Sequence, residues 1–194
     1  MISRARVIAL CCLALAFFVR PGTAAVPDPA HCMVDEILVG DSNGMMIGSG
    51  FRVQVRDVNF APIANSHVVL AFNGSARPYT AQIAPAFSLC PNIAEMTDAA
   101  GQAIFQARFG GYDNNPSVEV RADGITLKPV VARSTDLTGD GATGAFDFVH
   151  FRNNFLNSPS APETDFNHDG ITDPFDFNIF RSVFLNDAPG TVCP

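Results

Sequence analysis

The sequence predicts a mainly β chain: a β-sandwich over residues 26–133, followed by a small all-α module of two loop–helix repeats over residues 134–194. Three observations predict it. The earlier part holds at least five short runs rich in β-branched residues, each bounded by Gly, Asn, Asp or Pro. The last third repeats itself without a gap at a period of 29 residues, and its phenylalanines recur at helical spacing.

The composition narrows the possible roles before any motif is read. The chain has 194 residues, 47% of them apolar, which is too many for a disordered tail. Its 12 basic residues face 19 acidic ones, for a net charge of −7, and Lys128 is the single lysine. A nucleic-acid ligand is therefore not expected, because binding a phosphate backbone needs a surplus of Lys and Arg.

The N-terminus reads as a secretory signal peptide over residues 1–25. Arg4 and Arg6 precede the 13-residue apolar run VIALCCLALAFFV, and RPGTAA offers small residues for cleavage after Ala24 or Ala25. The run is short of the roughly 20 residues needed to span a bilayer, so a secreted or cell-surface product without a membrane span is expected. Cleavage would remove Arg4, Arg6 and Arg20, lowering the basic count from 12 to 9 against 19 acids, net −10. Export also places the remaining cysteines, Cys32, Cys90 and Cys193, in an oxidising compartment.

The strand runs come next along the chain. FRVQVRD alternates apolar and polar side chains, and SHVVLAFNG, GQAIFQARFGG, SVEVRADG and ITLKPVVA continue the series. Regular short spacing without a helical period predicts an antiparallel sandwich. In such a sandwich Cys32 opens the first strand and Cys90 just precedes a middle one, which predicts a Cys32–Cys90 disulfide and leaves Cys193 over. Asn73-Gly74 reads as a turn. His31 and His67 have no Ser or Cys partner in a context that suggests an activated nucleophile, so no catalytic residue is expected.

The layouts VQVRDVNFAPIANSHVVLAF and TDAAGQAIFQ resemble bacterial immunoglobulin-like domains of the invasin or intimin kind. That resemblance implies structural roles for Thr97, Asp98, Gly101, Ala103 and Phe105: Asp98 closing a turn and Phe105 entering the core.

Charge and phenylalanine concentrate beyond residue 133. Residues 134–194 hold nine acids, two bases and nine of the 17 Phe. DLTGDGATGAFDFVHFRNNFLN from Asp136 aligns with DFNHDGITDPFDFNIFRSVFLN from Asp165, matching at 12 of 22 positions. Each copy opens with D-x-(T/N)-x-D-G and carries an acid at position 12, the spacing of an EF-hand calcium loop.

Calcium is a hard cation that takes six to eight oxygens, and a 12-residue loop wraps it when ligands come from positions 1, 3, 5, 7, 9 and 12. The first loop offers Asp136, Thr138, Asp140, the Ala142 carbonyl, Gly144 through a water, and Asp147. The second offers Asp165, Asn167, Asp169, the Ile171 carbonyl, Asp173 and Asp176. Gly141 and Gly170 fall at position 6, where the chain turns sharply. A pair of solvated acidic turns is the competing reading, but two copies in register, each followed by a helix, weigh against it. The second loop has one carboxylate more and is expected to bind more tightly. Two bound Ca²⁺ would make the charge about four units less negative.

Phe148, Phe151 and Phe155, like Phe177, Phe180 and Phe184, recur at helical spacing after each loop, and Pro174 suits a first helical turn. No helix precedes either loop. One loop with one helix cannot bury its own Phe stripe, so the two copies are expected to pack stripe against stripe about a pseudo-two-fold axis.

Paired calcium loops, each followed by a single helix near the end of a secreted chain, resemble a type I dockerin domain over residues 134–190. That resemblance implies calcium at the loop residues named above and a cohesin domain on a scaffold or surface protein as partner. Contacts would run through Ala145, Phe146, Pro174 and Phe175, with Arg152 and Arg181 beyond. These positions lack the Ser/Thr pair of the best-known dockerins, and the linker between the copies is short. The function expected is non-catalytic calcium-dependent docking, associated with polysaccharide breakdown. An adhesion protein with purely structural calcium and a small glycoside hydrolase are the alternatives.

Overall fold

The computed structural model describes residues 25–40, 50–80, 90–187 and 189–193. Except for Ala25, the expected signal peptide lies outside the described residues. Among the described residues ten strands are formed: β1 (Met33–Val34), β2 (Ile37–Gly40), β3 (Phe51–Gln54), β4 (His67–Phe72), β5 (Arg77–Pro78), β6 (Asn92–Met96), β7 (Gln102–Phe105), β8 (Phe109–Gly110), β9 (Val118–Ala122) and β10 (Ile125–Ser134). Two α-helices succeed them, α1 (Ala145–Asn157) and α2 (Pro174–Leu185), with a 3-10 turn over Pro162–Thr164 between them.

The strands make a five-stranded sheet in the order β2-β10-β9-β4-β6, a three-stranded sheet β1-β3-β7, and the pair β5-β8. Alternation in the sequence sets which side chains go inward. In β9, Val118, Val120 and Ala122 are buried while Glu119 and Arg121 are not. Phe51 and Val53 of β3 do the same in the facing sheet. Together with Leu38, Val68, Leu70, Phe105 and Phe109 they belong to one core between the sheets.

The longest strand positions the first acidic loop. Residues 125–130 of β10 pair antiparallel with β9, whereas residues 131–134 pair parallel with β2. This change of partner carries the chain into the interior at its end, so Arg133, Ser134, Thr135 and Asp136 are all buried. Ser134 donates to the Phe109 carbonyl at 2.5 Å, and Gly111 N–H donates to the Asp136 carbonyl at 2.7 Å.

The expected fold class, an immunoglobulin-like antiparallel sandwich plus a separate all-α module, is not what the chain forms. Among the described residues the protein is mostly β in three sheets, one of them mixed, with only two α-helices and no all-α unit. The loops before the helices are embedded in the β part, and the cluster of Leu137, Phe151, Phe166 and Phe180 also draws on Val39 of β2 and on Tyr112. The physical reason lies in the apolar count. Four buried residues cannot close a core by themselves, so the helices borrow cover from the sheets.

The helices themselves lie where the Phe spacing places them. Phe151 and Phe180 stack at 5.2 Å between ring centroids, and the symmetry-related pairs Phe148–Phe180 and Phe151–Phe177 are each 6.1 Å apart. Phe184 also meets Phe148, at 6.5 Å. Along α1 and the start of α2 lies an apolar groove of about 390 Å³, lined by Phe148, Phe151, Arg152, Phe155, Leu156, Pro174 and Phe177.

The disulfide differs from expectation. Cys90 pairs with Cys193, with Cα atoms 5.6 Å apart, and Cys32 is free. Cys193 is brought back by the C-terminal tail, whose Val192 bridges to Tyr79 and whose Cys193 N–H donates to the Pro78 carbonyl at 2.7 Å. The half-buried Cys32 thiol instead meets the backbone of Arg56, and burial pushes its pKa up.

Candidate metal centre

Each expected loop gathers three carboxylates. One oxygen each from Asp136, Asp140 and Asp147 lies within 4.8 Å of the others, and Asp165, Asp169 and Asp176 form the same arrangement. In each trio the first and last residues are buried and the middle one is exposed, leaving one solvent-facing carboxylate. Donors around an ion with bonds of 2.3–2.6 Å lie up to about 5 Å apart, so these spacings fit a Ca²⁺-sized cation. No His or Cys takes part in either trio, and an all-oxygen set suits a hard ion.

Backbone N–H groups hold the trios in place. Asp136 accepts from Gly139 and Asp140 on Oδ1, and from Gly141 on Oδ2. Asp165 repeats the pattern with Asp169 and Gly170. The position-12 carboxylate closes each loop: Asp147 accepts from Thr138 at 2.8 Å and Gly144 at 2.7 Å, and Asp176 from Phe166, Asn167 and Asp173. Gly141 and Gly170 have φ of 97° and 93°, the left-handed region that a Cβ disfavours. Thr135–Thr143 and Thr164–Thr172 hydroxyl pairs, at 3.0 and 2.7 Å, brace the two loops in the same way.

The remaining expected ligands divide. The Thr138 hydroxyl reaches Asp136 Oδ1 at 3.4 Å, and Asn167 exchanges two hydrogen bonds with Asp169. Ala142 and Ile171 donate their N–H groups to the position-5 carboxylates at 3.1 Å each. Asp173 stands outside the trio. Its carboxylate accepts from Phe175 N–H at 2.6 Å and caps α2. The residues expected to meet a partner, Ala145, Phe146, Arg152, Pro174, Phe175 and Arg181, are all exposed, Phe146 by 77% and Phe175 by 68%.

Three site residues escaped the sequence reading. Tyr79 donates its hydroxyl to Asp136 Oδ2 at 2.8 Å, Arg133 lies 3.5 Å from Asp165 Oδ2 and donates to the Asp165 carbonyl at 2.5 Å, and Asp187 accepts from Thr143 N–H at 2.9 Å. No local spacing announces them, because each comes from a different part of the chain. Arg133 sets the loops apart electrostatically. It is 5% exposed and places a permanent charge beside the second loop, whereas the first loop receives a neutral phenol.

Burial shapes the ionisation of both centres. It pushes the Asp136 carboxyl above the usual range, with help from the Asp147 charge and against the hydrogen bonds from Tyr79 and the loop. Burial also raises Asp176, against three backbone N–H donors. The Tyr79 phenol is pushed up by burial and then by the Asp136 charge.

These shifts have a definite sign. A carboxyl raised in the folded state contributes stability that is fully present below its unfolded pKa of about 4, and this is lost as pH rises through the raised value. Cation-stripped protein is therefore expected to lose stability as pH climbs from about 4. Calcium should reverse the trend, because it needs the ionised form. Urea midpoints measured across this pH range, with and without calcium, check both slopes.

No family model, curated protein or solved structure matches the chain.

Proposed function

We propose that the chain is a secreted, non-catalytic protein that binds two Ca²⁺ ions through residues 136–147 and 165–176, and uses the helices they anchor to dock a protein partner. The observation that carries this reading is the duplicated trio of carboxylates, built on the same loop geometry 29 residues apart. Calcium joins each loop to the first turn of its helix through Asp147 or Asp176. It thereby orders the surface that presents Phe146 and Phe175 and the groove beside Arg152 and Pro174. A large exposed apolar surface rimmed by charge is what a protein partner covers. A cohesin-like domain is the partner that the dockerin resemblance points to, in a setting of polysaccharide breakdown.

Calorimetry on the full chain tests the first half. Two calcium equivalents are expected, one lost on Asp136→Ala and the other on Asp165→Ala. Capture of cohesin domains tests the second half: binding should vanish in EGTA and fall at least tenfold in the double variant Phe146→Ala/Phe175→Ala, as when apolar anchors of an interface are truncated. The bonds from Tyr79 and Arg133 into the loops favour a second reading, in which calcium only rigidifies an adhesion protein. Calcium uptake with no capture of any cohesin would select it.

A further inference from the structure

The two loops are alike in sequence but not in what leans on them. The chain after α2 folds back over the first loop. Asp187 Oδ1 accepts from Thr143 N–H at 2.9 Å, and Gly190 N–H donates to the Gly141 carbonyl at 2.7 Å. A Cβ on Gly141 would lie 2.0 Å from the Gly190 carbonyl oxygen, so the tail seats directly on the turning point of the loop. Gly190 also rests on the ring of Tyr79, the residue whose hydroxyl holds Asp136. Beyond it, Thr80 N–H donates to the Thr191 carbonyl at 2.7 Å, and Cys193 is bonded covalently to Cys90.

Among the described residues the second loop has no such cover. A Cβ on Gly170 would meet nothing within 4 Å, and Thr172 N–H, the counterpart of Thr143 N–H, bonds instead to the Pro159 carbonyl in the linker between the copies.

We propose that the C-terminal tail, held down by the Cys90–Cys193 disulfide, is a positioning element of the first cation site alone, so that opening the disulfide weakens that site and spares the second. The inference rests on the reading of residues 136–147 as a calcium loop. Without the bond, residues 189–193 regain chain entropy, and the hydrogen bonds from Gly190 to Gly141 and from Thr143 to Asp187 must hold the tail unaided. Each such hydrogen bond is worth roughly fivefold in affinity, so losing both predicts a loss of about 25-fold, and weakening them in part a loss of about tenfold, at the first site.

The experiment is calcium calorimetry on the full chain in three forms: oxidised, opened with a small dithiol, and Cys193→Ser. The dithiol exchanges with the disulfide, leaving two cysteine thiols and its own cyclic disulfide. The oxidised chain should show two sites. In the other two forms one site should weaken at least tenfold, and the unaffected site should disappear on Asp165→Ala but not on Asp136→Ala. A second readout does not depend on affinity: in saturating calcium, amide exchange at Thr143 should quicken on opening, while that at Thr172 should not. A third variant, Asp187→Ala, keeps the disulfide and should reproduce part of the loss at the first site. Equal weakening of both sites, or none, overturns the proposal. Two sites in the oxidised chain that survive opening unchanged refute the tail's role and leave the calcium reading intact, whereas no calcium uptake by the oxidised chain overturns both.

Discussion

Stripping the two proposed Ca²⁺ ions from the full chain is expected to melt α1 and α2 while the five-stranded sheet stays folded. An ion bound only by the folded state stabilises it by about 4 kcal/mol when its free concentration exceeds the Kd a thousandfold, and two sites would give roughly twice that. The helices have little else to rely on, since among the described residues their cluster has four buried apolar residues against nineteen in the core between the sheets. Without the ions, three carboxylates in each loop repel one another at short range. Loss of helical circular dichroism on chelation, with amide protection retained in β4 and β9, is the expected result. Protection that collapses in β4 and β9 together with α1 would refute it. Because Tyr79 and Arg133 tie the loops to the sheets, some loosening should reach β8 and the last residues of β10.

Phe151→Ala is the substitution expected to cost the most in the helices, about 3–5 kcal/mol in calcium. Phe151 is fully buried, and its ring meets Phe155, Phe166, Phe177 and Phe180, all with centroids 5.2–6.1 Å away. Alanine would leave a cavity at the point where the two copies touch, and the groove beside it gives water a way in. Phe146→Ala removes as large a side chain from an exposed position and should shift stability by no more than about 0.5 kcal/mol. Denaturant midpoints of the two variants in calcium give the comparison. Equal losses would mean that the stacked rings do not carry the helix packing.

Much of the site was legible because its determinants are local. A 12-residue loop needs its acids and glycine at fixed offsets, and a helix needs its apolar residues three and four apart, so Asp136 to Asp147 and Phe148 to Phe155 can be read without knowing what surrounds them. Asp173 shows the limit of such reading. Its position suits a ligand, but it also stands one residue before Pro174, where a carboxylate caps the helix, and the structure uses it as the cap.

Cysteine pairing was less legible. Cys32 and Cys193 were both open to Cys90 in the sequence, and the choice depended on where a tail far along the chain would lie. Backbone bonds from Thr80 and Cys193 bring that tail beside β5, and Cys90 is met there.

The sequence by itself determined the strands' alternation, the duplicated acidic loops and the two Phe-striped helices, because each arises from a period or an offset within one short segment. Only the tertiary structure decided that these pieces are not two independent units. The change of partner along β10 buries Thr135 and Asp136, the small helical cluster takes cover from Val39 and Tyr112, and Tyr79, Arg133 and Asp187 reach the loops across large sequence separations. A cluster of four buried rings and aliphatics cannot exclude water alone, and the groups that complete it leave no mark in the local pattern.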